Sequence, residues 1–238
     1  MATKDSLTAE VRKKSIILAA GPLFAEKGFH ATSMREIAKK AGVSEALIYK
    51  YFPSKESLYN ELLDYSRELF STGFTALSGL IHDTRTLVFL IFALLELIVL
   101  DVPNRIADQK LHERLLFHSL MGDTIFARSH FKILRDNWEA TIDACFQAAT
   151  EAGDITRSKI PMATRMWFVH HLAMALNLCH LSGKPAFEYD GSREDLVNQA
   201  TIFCLKGIGM TDEAIDKYFD PKELRNLLRM FYELGAQT

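Results

Sequence analysis

The chain has 238 residues, of which 48% are apolar and 24% charged, with a net charge of −2. This is an ordinary soluble balance, with enough length for one or two domains around a sizeable core. The N-terminus, Met1 to Arg12, lacks the apolar run of a secretion signal, and the most apolar stretch, Leu87 to Leu100, is too short to span a bilayer and contains Glu96. Three widely spaced cysteines, Cys145, Cys179 and Cys204, are odd in number, which argues against a disulfide framework or a zinc site. They fit a reducing compartment such as a bacterial cytoplasm. The charge is uneven. The first sixty residues hold ten Lys/Arg against six Asp/Glu, so they are basic while the remainder is acidic. A basic segment joined to a larger acidic one suggests a polyanion binder attached to something that avoids polyanions.

In chain order, nearly every segment follows helical spacing, and alternating strand patterns are absent. Ile16, Ala20, Leu23 and Phe24 place one stripe on a first helix over 10–27, stopped by Gly28. Ser33 and Glu36 have capping-box spacing and start a second helix that ends at Gly42. Ser44 caps a third, running to about Tyr51. Pro53 breaks the chain, and Ser54 caps a fourth helix beginning at Lys55. Longer, more apolar helices are expected near 84–101, 103–121, 124–152, 160–182, 193–209 and 212–235. The breaks are Pro103, Gly122-Asp123, Gly153-Asp154, Pro161, Gly183-Lys184-Pro185 and Pro221, and Ser182 to Ser192 is the linker-like stretch. The fold class is therefore all-α.

Residues 33–51 are two short helices joined by a tight glycine turn, which can present the second helix to a DNA major groove. Ile37, Ala38, Ala41, Val43 and Ile48 are placed to pack between the helices. Ser44, Glu45, Ala46, Tyr49 and Lys50 face outward, with Arg35 projecting from the preceding helix. Arg35 and Lys50 suit phosphates or guanine edges, and Ser44 and Tyr49 can donate to phosphate oxygens. Lys55 lies in a first helical turn, where N–H groups also favour a phosphate. The stretch Thr32 to Leu58, TSMREIAKKAGVSEALIYKYFPSKESL, resembles the helix-turn-helix of the TetR family of regulators. The matching positions are Thr32, Ile37-Ala38, Ala41-Gly42-Val43-Ser44, Ile48-Tyr49, Tyr51-Phe52 and Lys55. The resemblance covers roughly residues 12–65 and implies a DNA-binding domain over 1–54. Two positions depart from the family pattern. Ala46 stands where Gly or Pro is common, and Glu45 brings a carboxylate toward DNA, where it can accept from cytosine N4 or repel phosphate.

The resemblance further implies a helical domain over 55–238 that forms a homodimer and encloses a small-molecule effector. The segment Met166 to Leu181 is apolar on nearly every face, and 193–209 carries two apolar sides, so both helices are expected to serve a core and a partner subunit. Leu172, Leu176, Leu196, Ala200, Phe203 and Gly207 are the expected interface residues. For the effector, Glu96, His118, Trp138, Trp167 and His171 are the candidate contacts, with His170 and Asn177 nearby. The apolar content points to a hydrophobic or amphipathic compound, such as an acyl chain or an aromatic molecule. No two histidines have the i, i+4 spacing of a metal pair, and no nucleophile elbow, phosphate loop or dinucleotide fingerprint occurs, so neither cofactor, metal nor enzymatic activity is expected. The expected activity is a ligand-released repressor on double-stranded operator DNA. The alternative is an activator, or a regulator controlled by a partner protein.

Overall fold

A computed structural model describes residues 4–71, 79–100, 106–122, 124–181 and 185–235. The breaks expected at Pro103, Asp123 and Gly183-Lys184 lie outside these residues. Eleven helices are described: α1 (Lys4–Ala31), α2 (Met34–Ala41), α3 (Glu45–Tyr51), α4 (Lys55–Ser71), α5 (Thr84–Val99), α6 (Ile106–Met121), α7 (Ile125–Glu151), α8 (Met162–Leu178), α9 (Arg193–Gly207), α10 (Asp212–Tyr218) and α11 (Pro221–Gly235). Among the described residues the only strand-like pairing is an isolated bridge between Ile155 and Met210. No described helix is long and apolar enough to cross a membrane. The chain forms two compact units, one from Met1–Thr72 with Ala107–Ile133, the other from Gly73–Ile106 with Leu134–Thr238.

The first unit buries Ile16, Ala20 and Phe24 of α1 with Ile37, Ile48, Phe52, Leu58 and Leu62. The stripe read along α1 is thus its inward face. That helix begins earlier than its periodicity suggests, at Lys4, and leaves helical geometry at Gly28, where φ is 76°. A polar chain crosses the interior of this unit. Ser66 Oγ on α4 lies 2.8 Å from His112 Nδ1 on α6, and His112 Nε2 lies 3.0 Å from His130 Nδ1 on α7. Burial lowers the His112 pKa to about 4, so the ring is neutral at ordinary pH.

The second unit is organised around α5. Every residue from Leu87 to Glu96 is buried, because α8, α9, α10 and α11 surround it. Asp83 caps its first turn by accepting from the Thr86 N–H at 2.7 Å. Ile142, Cys145, Phe146 and Ala149 of α7 complete the core. The span expected as one helix over 212–235 is divided. Pro221 has no N–H to donate, so it would break the hydrogen bonding of a continuing helix, whereas at the first turn that N–H is not needed, and it opens α11. Asp220 caps that helix, accepting from the Lys222 and Glu223 N–H groups at 2.9 and 3.1 Å.

Candidate nucleic-acid interface

The helix-turn-helix is set by its termini. Ser33 Oγ accepts from the Glu36 N–H, and Glu36 Oε2 accepts from the Ser33 N–H at 3.0 Å, closing the capping box. The other Glu36 oxygen accepts from Lys27 Nζ at 2.7 Å, which ties α2 to α1. The Lys27 bond first, then the Ser33 N–H and hydroxyl, hold the Glu36 carboxyl down to about 2 from its ordinary 4.5. A carboxyl lowered in the folded state contributes stability that is fully present above its unfolded value and is lost as pH falls through the folded one. The melting temperature is therefore expected to fall between about pH 4.5 and 2, with part of that fall absent in Glu36→Gln. Circular-dichroism melts of both proteins across that range check this.

Gly42 ends α2 with φ at 66°, and the Val43 N–H donates to the Ala38 carbonyl at 3.1 Å. A Cβ at Gly42 would meet nothing within 4 Å, so the backbone conformation alone demands glycine, by about 1 kcal/mol. Ser44 then caps α3 by accepting from the Leu47 N–H at 3.2 Å. Ile48 and Phe52 turn inward, which fixes the opposite face of α3 outward. Glu45, Ala46, Tyr49 and Lys50 occupy that outward face, and Arg35 is exposed on α2. Tyr49 is 47% exposed although it is a large aromatic. Among the described residues, no protein group bonds the polar ends of Arg35, Glu45, Tyr49 or Lys50.

Two of the expected DNA contacts point elsewhere. Thr32 is 1% exposed, and its hydroxyl proton is shared between the Gly28 and Leu23 carbonyls at 2.8 and 3.1 Å. Lys55 directs its ammonium to the carbonyls of Phe29, Thr32 and His30 at 2.9, 3.1 and 3.4 Å, over the Phe29 ring. Both side chains close the junction where α1 gives way to α2. They position the motif from behind.

The candidate effector contacts are scattered. Trp138 of α7 and Trp167 of α8 line one hollow in the second unit, whose wall is almost wholly apolar. Its volume is about 60 Å³, room for roughly four waters. His170 lines it, whereas His171 lies on the exposed side of α8, stacked on Trp167 with ring centres 5.9 Å apart. Burial, and secondarily the neighbouring His171, lower the His170 pKa to about 4. Glu96 is committed to Arg225 of α11, whose Nε donates to Oε1 at 2.9 Å. His118 belongs to the first unit, beside Gly28. Asn177 is buried.

The expected interface residues also separate. Leu176, Leu196 and Ala200 are buried inside their own unit and Leu172 is half-buried, while Phe203 is 69% exposed and Gly207 is open. The outward apolar residues of α8 and α9 are Phe168, Leu178, Ile202 and Phe203. Phe168 and Leu178 had no mark in the sequence, because α8 is apolar on nearly every face and its periodicity selects none.

Residues 16–62 match the family of bacterial regulatory proteins called the tetR family. Similar proteins include the transcriptional regulator RutR of Escherichia coli, 45% identical over 60 residues, which are 25% of this chain and 28% of RutR. The transcriptional activator FasR of Mycolicibacterium smegmatis is 40% identical over 59 residues, 25% of this chain and 27% of FasR. The chain thus spans little more than a quarter of the length of these relatives. The fold as a whole is similar to that of FadR from Bacillus subtilis, solved in complex with stearoyl-CoA, with a TM-score of 0.55 and 17% identity over 82% of this chain and 98% of FadR. Residues 16–62 of this chain thus form a helix-turn-helix segment of the kind that defines the tetR family of bacterial regulatory proteins.

Proposed function

We propose that the chain is a sequence-specific DNA-binding transcriptional regulator, acting in the cytoplasm as a homodimer without enzymatic turnover. The observation that carries this reading is the outward face of α3. It offers an exposed tyrosine, a lysine and a glutamate with no bonding partner among the described residues, with Arg35 beside them. Such a face is poorly explained by folding, and it matches what base edges and phosphates require. In this reading DNA contact belongs to residues 1–54, while 55–238 hold the dimer surface and the effector. The exposed apolar residues of α8 and α9 support dimerisation, since two such faces can bury each other about a two-fold axis. A dimer presents two copies of α3 to two half-sites.

The chain further acts as a repressor released by a small hydrophobic or amphipathic effector. The hollow between α7 and α8 supports a ligand, as does the stearoyl-CoA held by the similarly folded FadR. The effector shifts the equilibrium toward a form with weaker DNA affinity, by as much as it prefers that form. FasR, an activator by name, favours a second reading in which the same DNA contacts recruit transcription.

Fluorescence anisotropy on the DNA immediately upstream of the gene, and on a randomised pool, tests the core of this reading. Binding is expected to weaken with salt, because phosphate contacts release counterions. Tyr49→Ala is expected to weaken it by about tenfold, the worth of one good contact. Absence of binding to either DNA at low salt would sink the proposal. A reporter under the selected operator, with and without the regulator, separates repression from activation.

A further inference from the structure

The hollow between α7 and α8 has a composition more specific than an apolar wall. Its sides are the indoles of Trp138 and Trp167 with the thioethers of Met162 and Met166. Glu139 and Asp143, both exposed, also line it, one helical turn apart on α7 and therefore on one face, where the hollow meets solvent. Neither carboxylate has an ion-pair partner among the described residues. Arg135, one turn before Glu139, is the single cation of the lining, and His170 is held neutral by burial. The charge around the opening is therefore net negative. Partial burial, and secondarily the Glu139 charge, raise the Asp143 pKa above the usual carboxylate value, so the two acids carry a repulsion that a cation would relieve.

Resting on the reading of this hollow as an effector site, we propose that it takes a lipophilic monocation. Its aromatic or alkyl part would lie between Trp138 and Trp167, and its amine would lie at Glu139 and Asp143. An indole face attracts a cation through its quadrupole, and sulfur and aromatic surfaces accommodate flat apolar groups of varied shape. An acyl carboxylate would meet two like charges at the mouth against one arginine. The site therefore discriminates by charge at its mouth and accepts apolar bodies broadly within.

The chain contains only two tryptophans, and both line this hollow. Intrinsic tryptophan emission of the whole protein therefore arises at this site. The probes are three compounds with one skeleton: 4-phenylbutylamine, 4-phenylbutanol and 4-phenylbutyrate. The amine is expected to change the emission saturably, about fivefold tighter than the alcohol, with the butyrate weakest, and added salt should narrow the gap. In the double variant Glu139→Gln/Asp143→Asn the amine's advantage is expected to vanish while alcohol binding stays as it was. Both substitutions are on exposed side chains, and an unchanged melting curve confirms that the variant is folded.

Butyrate binding as tight as the amine, or an amine preference that survives in the variant, overturns the proposal. So does emission unmoved by all three probes at millimolar concentration. Operator affinity measured on the same samples keeps the two readings apart. A protein that binds DNA but no amine refutes the monocation alone, and one that binds the amine but no DNA refutes the regulator alone.

Discussion

Arg225→Met is expected to destabilise the second unit by about 3 kcal/mol, the usual cost of breaking one side of a little-exposed ion pair. Arg225 and Glu96 have side chains only 16% and 11% exposed, with Nε and Oε1 2.9 Å apart. A second arm of the guanidinium donates to Asn198 Oδ1 at 3.0 Å, and its plane lies over Phe92. The pair thus ties α11 to α5 and α9. Without the arginine, Glu96 keeps a carboxylate in an apolar helix surface, and among the described residues its Oε2 has no donor even now. Glu96→Leu/Arg225→Met is expected to recover most of the loss, because two apolar side chains need no mutual compensation. Urea unfolding of the two single variants and the double variant closes the cycle. A single Arg225→Met as stable as the wild type would mean that the guanidinium compensates nothing.

Lys55→Met is expected to cost about 2 kcal/mol of stability, in line with hydrogen bonds made by a charged donor. The ammonium serves three carbonyls around the exit of α1, while the methylene stem lies half-buried. Methionine keeps the stem and removes the donors. The same variant separates two roles for this residue. A phosphate contact would lower DNA affinity and flatten its salt dependence by about one charge, with the melting temperature unchanged. A clamp lowers the melting temperature and leaves the salt slope alone, which is the expected result. Thermal melts and anisotropy at two salt concentrations decide between them.

The local signals were legible because their causes are local. Ser33 with Glu36, Gly42, Ser44 and Pro53 each act on backbone within a few residues, so spacing alone places α2, α3 and the turn between them. The outward face of α3 follows from those boundaries and from the inward Ile48. What spacing could not reveal were groups whose partners lie far along the chain. Lys55 reaches carbonyls 23 to 26 residues earlier, and Glu96 meets an arginine 129 residues later. Both read as polar groups available for ligands, and both are already committed. Trp138 and Trp167 were found as large rings in an apolar region, but Met162 and Met166 join them only through the register of α8 against α7. Uniformly apolar helices carry the least directional information. Leu176 and Phe203 therefore looked alike, although one is buried and the other open.

The enclosure of α5 also fixes a time scale. From Leu87 to Glu96 every residue is buried, so deuterium is expected to replace these amide protons mainly when the unit as a whole opens. The short α3, with most of its residues exposed, exchanges through local fraying and needs no such event. One chain thus carries a fast clock in the helix that faces outward and a slow clock in the helix at the centre of the other unit, and the slow one reads that unit's free energy of opening directly.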